Sequence, residues 1–139
     1  MAKPTVFVDA GALFARYRVS DDHHQRALEG WAQIGEGREV CVTTNLVVAE
    51  AAGLLIRWTG ASRAAPRIRS WFETEAIQIE YVDLESELEA LDLLEKFGDQ
   101  HISFIDCVSF AVMKHLGVRR AFSFDKHFAI AGFELWPNR

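Results

Sequence analysis

Two aspartates directly follow the ends of short apolar runs, where carboxylates could act together. Asp9 comes after Thr5-Val6-Phe7-Val8, and Asp125 comes after Ala121–Phe124. Such runs predict buried strands, and sites in open α/β sheets form beyond the carboxyl ends of the strands. Either aspartate alone would be explained as a turn residue or a helix cap. Because two aspartates follow strands that end at the same edge of the sheet, a functional site at that edge is as good an explanation as two structural roles.

Glu50 lies in the most apolar predicted helix of the chain. Its neighbours at helical spacing are Leu46, Val47, Gly53 and Leu54, and no lysine or arginine lies within one turn. A carboxylate on an apolar face must be paired, protonated or bound to a cation, because burial of a lone charge is costly. We therefore favour a functional role for Glu50, with a distant arginine partner as the alternative.

Asp106 ends the segment Ser103-Phe104-Ile105-Asp106, which resembles a capping box with aspartate in the place of glutamate. This pattern predicts that Ser103 caps a helix and that Asp106 lies in its first turn. The structural role and a functional one are compatible, because a carboxylate in the first turn can still face a cation at that edge.

Asp9, Glu50, Asp106 and Asp125 are thus expected to converge on one edge of the sheet. Carboxylates held close together repel one another and raise their pKa values. The natural occupant of such a site is a hard divalent cation with oxygen ligands, Mg²⁺ or Mn²⁺. A cation there can activate water and neutralise charge on a scissile phosphate. The predicted reaction is hydrolysis of a phosphodiester bond.

The elements that must position these acids alternate between short apolar strands and helices. The predicted strands are Thr5–Val8, Val40–Thr43, Ile77–Val82, Ala121–Phe124 and Phe133–Trp136. The predicted helices are one with Leu28, Trp31, Ala32 and Ile34 on a single face after a cap at Asp21 or Asp22, one from Leu46 to about Trp58 capped by Thr44 or Asn45, one over Ala61–Glu73, an acidic one with Leu84, Leu88, Leu91 and Leu94 on one side, and one over Ile102–Leu116. This order predicts a three-layer α/β/α domain with a central parallel sheet.

The bulk composition fits one globular domain over residues 1–139, half apolar and a quarter charged. We see neither a membrane-spanning stretch nor a signal peptide, and expect a cytoplasmic protein. Cys41 and Cys107 show no ligand spacing and are expected to be small buried side chains.

The net charge of −5 is unusual for a protein that binds nucleic acid, but the charge is unevenly distributed. Between residues 57 and 69 the chain has no acid and carries four arginines: Arg57, Arg63, Arg67 and Arg69. A local basic face can bind phosphates even when the total charge is negative. A solvated helix face is the simpler interpretation of such a run, and both remain open.

The contexts of the four acids resemble the motifs of the PIN-domain family, particularly the VapC-type toxins of toxin–antitoxin pairs, over essentially the whole chain. The matching segments are Phe7-Val8-Asp9-Ala10-Gly11-Ala12, Thr43 to Glu50, Ile102 to Cys107, and Ala121 to Phe128 followed by Gly132-Phe133. The last segment is the most specific of the four. Their order within 139 residues makes the resemblance strong.

The resemblance implies a Mg²⁺- or Mn²⁺-dependent endoribonuclease that cuts single-stranded or loop RNA. It implies a homodimer, inhibited by a small VapB-like antitoxin that occupies the acidic pocket, often with a basic side chain. On this template Asp9, Glu50 and Asp106 hold the metal, and Asp125 holds a second ion or orients the water. Asn45, Ser103 and Ser123 would support these ligands through hydrogen bonds. Asp99 and His127 are further residues near this edge without an assigned role.

Three alternatives remain open. A HAD-type phosphatase would require a second aspartate two residues after Asp9, where this chain has Gly11. A non-catalytic member would keep the fold as a binding module, although the retention of all four acids argues against it. A housekeeping nuclease without an antitoxin would share the same site.

Overall fold

The computed structural model describes residues 3–137, in which seven α-helices, one 3-10 turn and five strands alternate along the chain. The strands are β1 (Thr5–Val8), β2 (Val40–Thr44), β3 (Ile77–Glu80), β4 (Arg120–Phe122) and β5 (Glu134–Leu135). The helices are α1 (Ala10–Ala15), α2 (His24–Gly35), α3 (Asn45–Thr59), α4 (Ala61–Glu73), α5 (Leu84–Lys96), α6 (Phe104–Leu116) and α7 (His127–Ile130), and the 3-10 turn covers Gly98–Gln100.

The five strands form one parallel sheet in the order β3-β2-β1-β4-β5. The chain moves outward from β1 to β2 and β3, and then returns to place β4 on the other side of β1. In sheets of this type the crevice between the two directions of winding is the usual ligand site. Here that crevice lies beyond the carboxyl ends of β1 and β4. The parallel sheet, with helices between successive strands, confirms the predicted three-layer α/β/α class.

The register of β1 against β4 decides which residues meet in this crevice. Val8 pairs with Phe122, so the next residues along the two strands, Asp9 and Ser123, lie side by side. The ladder continues one step further, because the N–H of Asp9 donates to the carbonyl of Phe122 over 3.0 Å. Asp9 is thereby fixed at the end of the sheet.

Aromatic side chains fill the core beneath this edge. Phe7, Phe122 and Phe128 are fully buried, and Phe128 contacts both Phe7 and Phe110. On the other layer Trp31 packs against Phe122 and donates its indole N–H to the carbonyl of Ala12 over 3.0 Å. The strand ends that carry the acids therefore rest on a rigid, tightly packed base.

Several caps and helix ends are where the sequence predicted them. Thr44 accepts from the N–H of Val47 and begins α3, Ser103 accepts from the N–H of Asp106 and begins α6, and Gly117 ends α6 in the left-handed conformation. Cys41 and Cys107 are buried free thiols, as expected.

In two helices the predicted apolar face differs from the face that is buried. In α2 the buried residues are Ala27, Gly30, Trp31 and Ile34, whereas Leu28 and Ala32 face solvent. In α5 the leucine stripe is largely exposed, at 69% for Leu84, 54% for Leu88 and 47% for Leu91, and the helix buries Ser86 and Ala90 instead. Small residues face the neighbouring layers because they allow close packing there.

Other differences concern short elements. The strand predicted over Ala121–Phe124 ends at Phe122, so Asp125 follows it after a turn rather than directly. Helices α1 and α7 were not predicted, because six and four residues give too little periodicity to recognise. None of the described helices is both long and apolar enough to cross a bilayer.

Candidate active site

Asp9 is the buried centre of the candidate site. It is the N-terminal flanking residue of α1 and keeps only 6% of its surface exposed. The hydroxyl of Ser123 donates to its Oδ2 over 2.9 Å, as the pairing of β1 with β4 requires. Burial raises the pKa of Asp9 to about 7, and the charges of Asp106 and Asp125 contribute further to the rise. The hydrogen bonds from Ala10 and Ser123 lower it only in part.

Asp106 enters the same crevice from the first turn of α6 and is 7% exposed. The hydroxyl of Ser103 accepts from its backbone N–H over 3.0 Å. Burial raises the pKa of the Asp106 carboxyl, the hydrogen bond from His127 opposes this rise, and the charge of Asp125 adds to it. Asp106 is therefore both a residue of the capping turn and a member of the acidic cluster.

Asp125 lies at the solvent side of the cluster, with 43% of its side chain exposed. Its N–H faces the Ser123 hydroxyl at 3.4 Å, and its Oδ1 accepts from the N–H of His127 over 2.9 Å. The turn after β4 thus folds Asp125 back over the end of the sheet. One hydroxyl, that of Ser123, connects it to Asp9.

His127 joins two of the acids, a contact that the sequence analysis did not predict. Its Nδ1 lies 2.9 Å from Oδ2 of Asp106 and 3.7 Å from Oδ1 of Asp125. Ligand atoms of these three residues lie within 4.8 Å of one another, a spacing that suits a metal ion. The sequence indicates only that a histidine follows Asp125 by two positions. It does not predict the contact with Asp106, because 21 residues separate the two along the chain.

Glu50 lies on α3 with its side chain exposed to solvent, outside the group of ligand atoms that Asp106, Asp125 and His127 form. Its residue surface is exposed, so the expectation that it is buried on an apolar face was wrong. The pKa of its carboxyl is nevertheless raised, first by desolvation and then by the charges of Asp106 and Asp125. Glu50 is therefore within electrostatic range of both acids, and its joint ligation of one ion with them stays a prediction.

The residues expected to support the acids divide into two groups. Ser103 and Ser123 contact the cluster directly. The side-chain oxygen of Asn45 accepts from the N–H of Val82 over 2.8 Å and so fixes the start of α3 to the chain beyond β3. Asp99 is exposed in the 3-10 turn before α6.

The four arginines lie on α3 and α4. Arg57, Arg63 and Arg69 are exposed, and the guanidinium of Arg67 lies 5.3 Å from the centroid of the Tyr17 ring. A role in RNA binding therefore stays a prediction.

A family model for the PIN domain matches residues 6–134 of this chain. The chain belongs to the PIN-domain family. Its predicted family is thereby confirmed, and the match runs from within β1 to the first residue of β5.

Two curated relatives of this PIN domain are both 23S rRNA-specific endonuclease VapC20, from the CDC 1551 / Oshkosh and the ATCC 25618 / H37Rv strains of Mycobacterium tuberculosis. Each is 34% identical over 130 residues, which cover 92% of this chain and 95% of the relative. The crystal structure of Mycobacterium tuberculosis VapC20, described as a Sarcin-Ricin loop cleaving toxin, superposes with a TM-score of 0.83 at 33% identity, covering 92% of this chain and 95% of that one. The predicted VapC-type endoribonuclease class is confirmed by these similarities.

Proposed function

We propose that this PIN domain, formed by residues 1–139 as one unit, hydrolyses phosphodiester bonds of RNA with Mg²⁺ or Mn²⁺ held by Asp9, Glu50, Asp106 and Asp125. The single observation that carries the proposal is the convergence of acids at one edge of the sheet: buried Asp9 is linked through the Ser123 hydroxyl to Asp125, whose ligand atoms lie within 4.8 Å of those of Asp106 and His127. The raised pKa of Asp9 agrees with this crowding. Burial of several carboxylates close together is unfavourable, so their presence indicates a positively charged ligand.

The donor set fits a hard divalent cation. The carboxylates supply the oxygen ligands that Mg²⁺ and Mn²⁺ prefer. Asp9, Glu50 and Asp106 would hold the ion, whereas the more exposed Asp125 would hold a second ion or orient the attacking water. A divalent cation bound here supplies a water of lowered pKa and offsets the charge of the phosphate.

The remaining side chains position these ligands. Ser123 donates to Asp9 Oδ2 and thereby directs the lone pairs of Oδ1 into the crevice. The start of α6 brings the positive end of its dipole to Asp106, and the Ser103 cap fixes that turn. His127 holds the Asp106 carboxyl from the opposite side. Asp9 and Asp106 are thus oriented before the substrate arrives.

We propose ribosomal RNA as the substrate class, because the relatives named above are 23S rRNA-specific endonucleases. A cluster whose outer acids, Asp125 and Glu50, are open to solvent at one edge of the sheet suits a single-stranded segment or a loop. The exposed arginines Arg57, Arg63 and Arg69 would bind flanking phosphates. Because RNA of this kind is found in the cytoplasm, we expect the protein to act there.

We also propose a homodimer that is inhibited by a small VapB-like antitoxin. The exposed leucines Leu84, Leu88 and Leu91 on α5 form an apolar stripe that a second copy would cover. A basic side chain of the antitoxin would occupy the acidic crevice in place of the cation. Sedimentation of the wild type and of Leu88→Glu tests the dimer, which should dissociate in the variant.

The decisive experiment measures cleavage of a mixed RNA with Mg²⁺, with Mn²⁺ and with a chelator. We expect cutting with either cation, none with the chelator and none by Asp9→Asn. Asp92→Asn, the same substitution on the exposed face of α5, should cut like the wild type. Release of phosphate from a small phosphoester would instead favour a phosphatase. A wild type that cuts no RNA with either cation would favour a non-catalytic binding module.

A further inference from the structure

Two rings stack face to face where the turn that carries Asp125 meets the start of α2. The centroids of His23 and Phe124 are 4.6 Å apart, and their planes differ by only 5°. Phe124 immediately precedes Asp125 and follows Ser123, the residue that donates to Asp9. Phe124 therefore lies, along the chain, between two residues of the acidic site.

The pair is held in place from both sides. Phe124 packs edge-on against the fully buried Phe122, with centroids 5.8 Å apart. His23 is fixed through its backbone, because its N–H donates to Oδ1 of Asp21 over 2.8 Å. The next residue, His24, places Nδ1 2.7 Å from the carbonyl of Ala15 and so ties the start of α2 to α1. A flat surface that is ordered in advance binds with little loss of conformational entropy.

Positive charge accompanies the rings. The guanidinium of Arg26, one turn into α2, lies 5.5 Å from the centroid of Phe124. Both His23 and Arg26 are half-buried and keep part of their surface open to solvent. Aromatic faces combined with a nearby cation are the usual means by which proteins bind unpaired bases and their phosphates.

We propose that His23, Phe124 and Arg26 form a stacking platform that holds one unpaired base of the RNA next to the scissile phosphate. The base extends the stack on the outer face of His23, and Arg26 contacts the phosphate that follows it. This inference rests on the proposed nuclease function. It explains selection for unpaired RNA, because a base within a duplex already has both faces covered.

The platform contacts the π-face of the base rather than its hydrogen-bonding edge. It therefore selects the unpaired state of one nucleotide rather than its sequence. Stacking requires only a flat ring at position 23, so His23→Phe should keep the platform and His23→Ala should remove its outer layer.

Steady-state cleavage of a short single-stranded RNA tests the proposal. We expect His23→Ala to raise KM about tenfold, the effect of one lost base stack, with kcat changed much less. His23→Phe should restore the wild-type KM. His115→Ala is the matched control, because His115 is exposed near the far end of α6, about 14 Å along the helix from Asp106. An unchanged melting temperature of His23→Ala shows that the fold is intact.

Abasic substitution identifies the stacked nucleotide. Removing one base at a time around the cleaved bond should raise KM at a single position in the wild type. At that position the abasic RNA should not raise the KM of His23→Ala any further, because either change alone already removes the stack of the base on the ring. Additive effects of the two changes would overturn the platform.

A binding measurement separates this inference from the nuclease proposal. RNA carrying 2-aminopurine at the identified position, or at each position in turn if no RNA is cut, should lose fluorescence when it binds Asp9→Asn with Mg²⁺. It should keep its fluorescence with the double variant Asp9→Asn, His23→Ala. Cleavage by the wild type together with an unaltered KM in His23→Ala would refute the platform alone. Quenching that depends on His23 without any cleavage would refute the nuclease alone, and the absence of both would refute both.

Discussion

The imidazole of His127 lies with its Nδ1 2.9 Å from Oδ2 of Asp106, although 21 residues separate the two along the chain. This contact links the turn after β4 to the first turn of α6. Through it, an acid from a helix start and an acid from a strand end come to share one small crevice.

The acids should be needed for cleavage but not for folding. We expect Asp9→Asn and Asp106→Asn each to abolish RNA cutting. In metal-free buffer at pH 8 both should melt at the wild-type temperature or above it, because one like charge is removed from a buried cluster. Differential scanning calorimetry with a chelator measures this. A sharp loss of melting temperature in both variants would show that the acids are structural caps instead.

The stability of the metal-free protein should fall as the pH rises from about 4 to about 7. The pKa of Asp9 is about 7 in the folded protein, against its ordinary value of 3.8. In this range the folded state holds a proton that the unfolded state has released, so the free energy of unfolding decreases with pH. The contribution of Asp9 is on the order of a few kcal/mol. Denaturant unfolding at a series of pH values gives the free energy of unfolding of the wild type and of Asp9→Asn. Plotted against pH, the two free energies should differ in slope over this window. Parallel plots would contradict the raised pKa.

A divalent cation should stabilise the folded protein, and more so at pH 8 than at pH 5.5. Binding to the folded state alone adds about 2.7 kcal/mol at a concentration of 100 times Kd, and at low pH the proton on Asp9 competes with the cation. Thermal melts with MgCl2 or MnCl2 measure the gain, with NaCl at equal ionic strength as the control. A gain that persists in Asp106→Asn would place the ion elsewhere.

Two buried serines should respond in opposite ways to the loss of their hydroxyl. Ser123 Oγ donates to Asp9, so Ser123→Ala should reduce metal affinity about 10- to 100-fold, as is usual for residues that orient a ligand. Ser109, on α6, has a buried hydroxyl that lacks a hydrogen-bond partner among the described residues. Ser109→Ala should leave metal affinity unchanged and stability equal or higher, by up to about 1 kcal/mol. Isothermal titration and chemical unfolding test the pair; equal losses of affinity would remove the special role of Ser123.

Two helical glycines form a matched test of packing. A Cβ at Gly30 would lie 2.4 Å from the ring of Phe122, so Gly30→Ala should destabilise the protein by about 1–3 kcal/mol. A Cβ at Gly53 in α3 would meet nothing within 4 Å, so Gly53→Ala should stabilise it by about 0.5–1 kcal/mol. Urea unfolding compares the two. A neutral Gly30→Ala would mean that Phe122, the base of the site, can move freely.

The sequence predicted the parts of the site that depend on local rules. Asp9 after an apolar strand, Ser103 capping the turn of Asp106, and the alternation of strands with helices all follow from residue type and spacing. The order of four acidic motifs identified the family before any contact was known. The leucine stripe of α5 shows the limit of such rules, because periodicity predicts an apolar face but does not show whether another layer covers it.

By itself, then, the sequence determined the elements, the acids and the class of chemistry. Only the tertiary structure decided that β4 pairs with β1, and with it the contacts of Ser123 with Asp9 and of His127 with Asp106. These contacts join residues more than 20 positions apart. The packing of Phe122, Trp31 and Phe128 beneath the strand ends supports the register of β1 against β4. The raised pKa of Asp9 follows from the same packing, because desolvation depends on what surrounds a carboxyl in space and not on its neighbours along the chain.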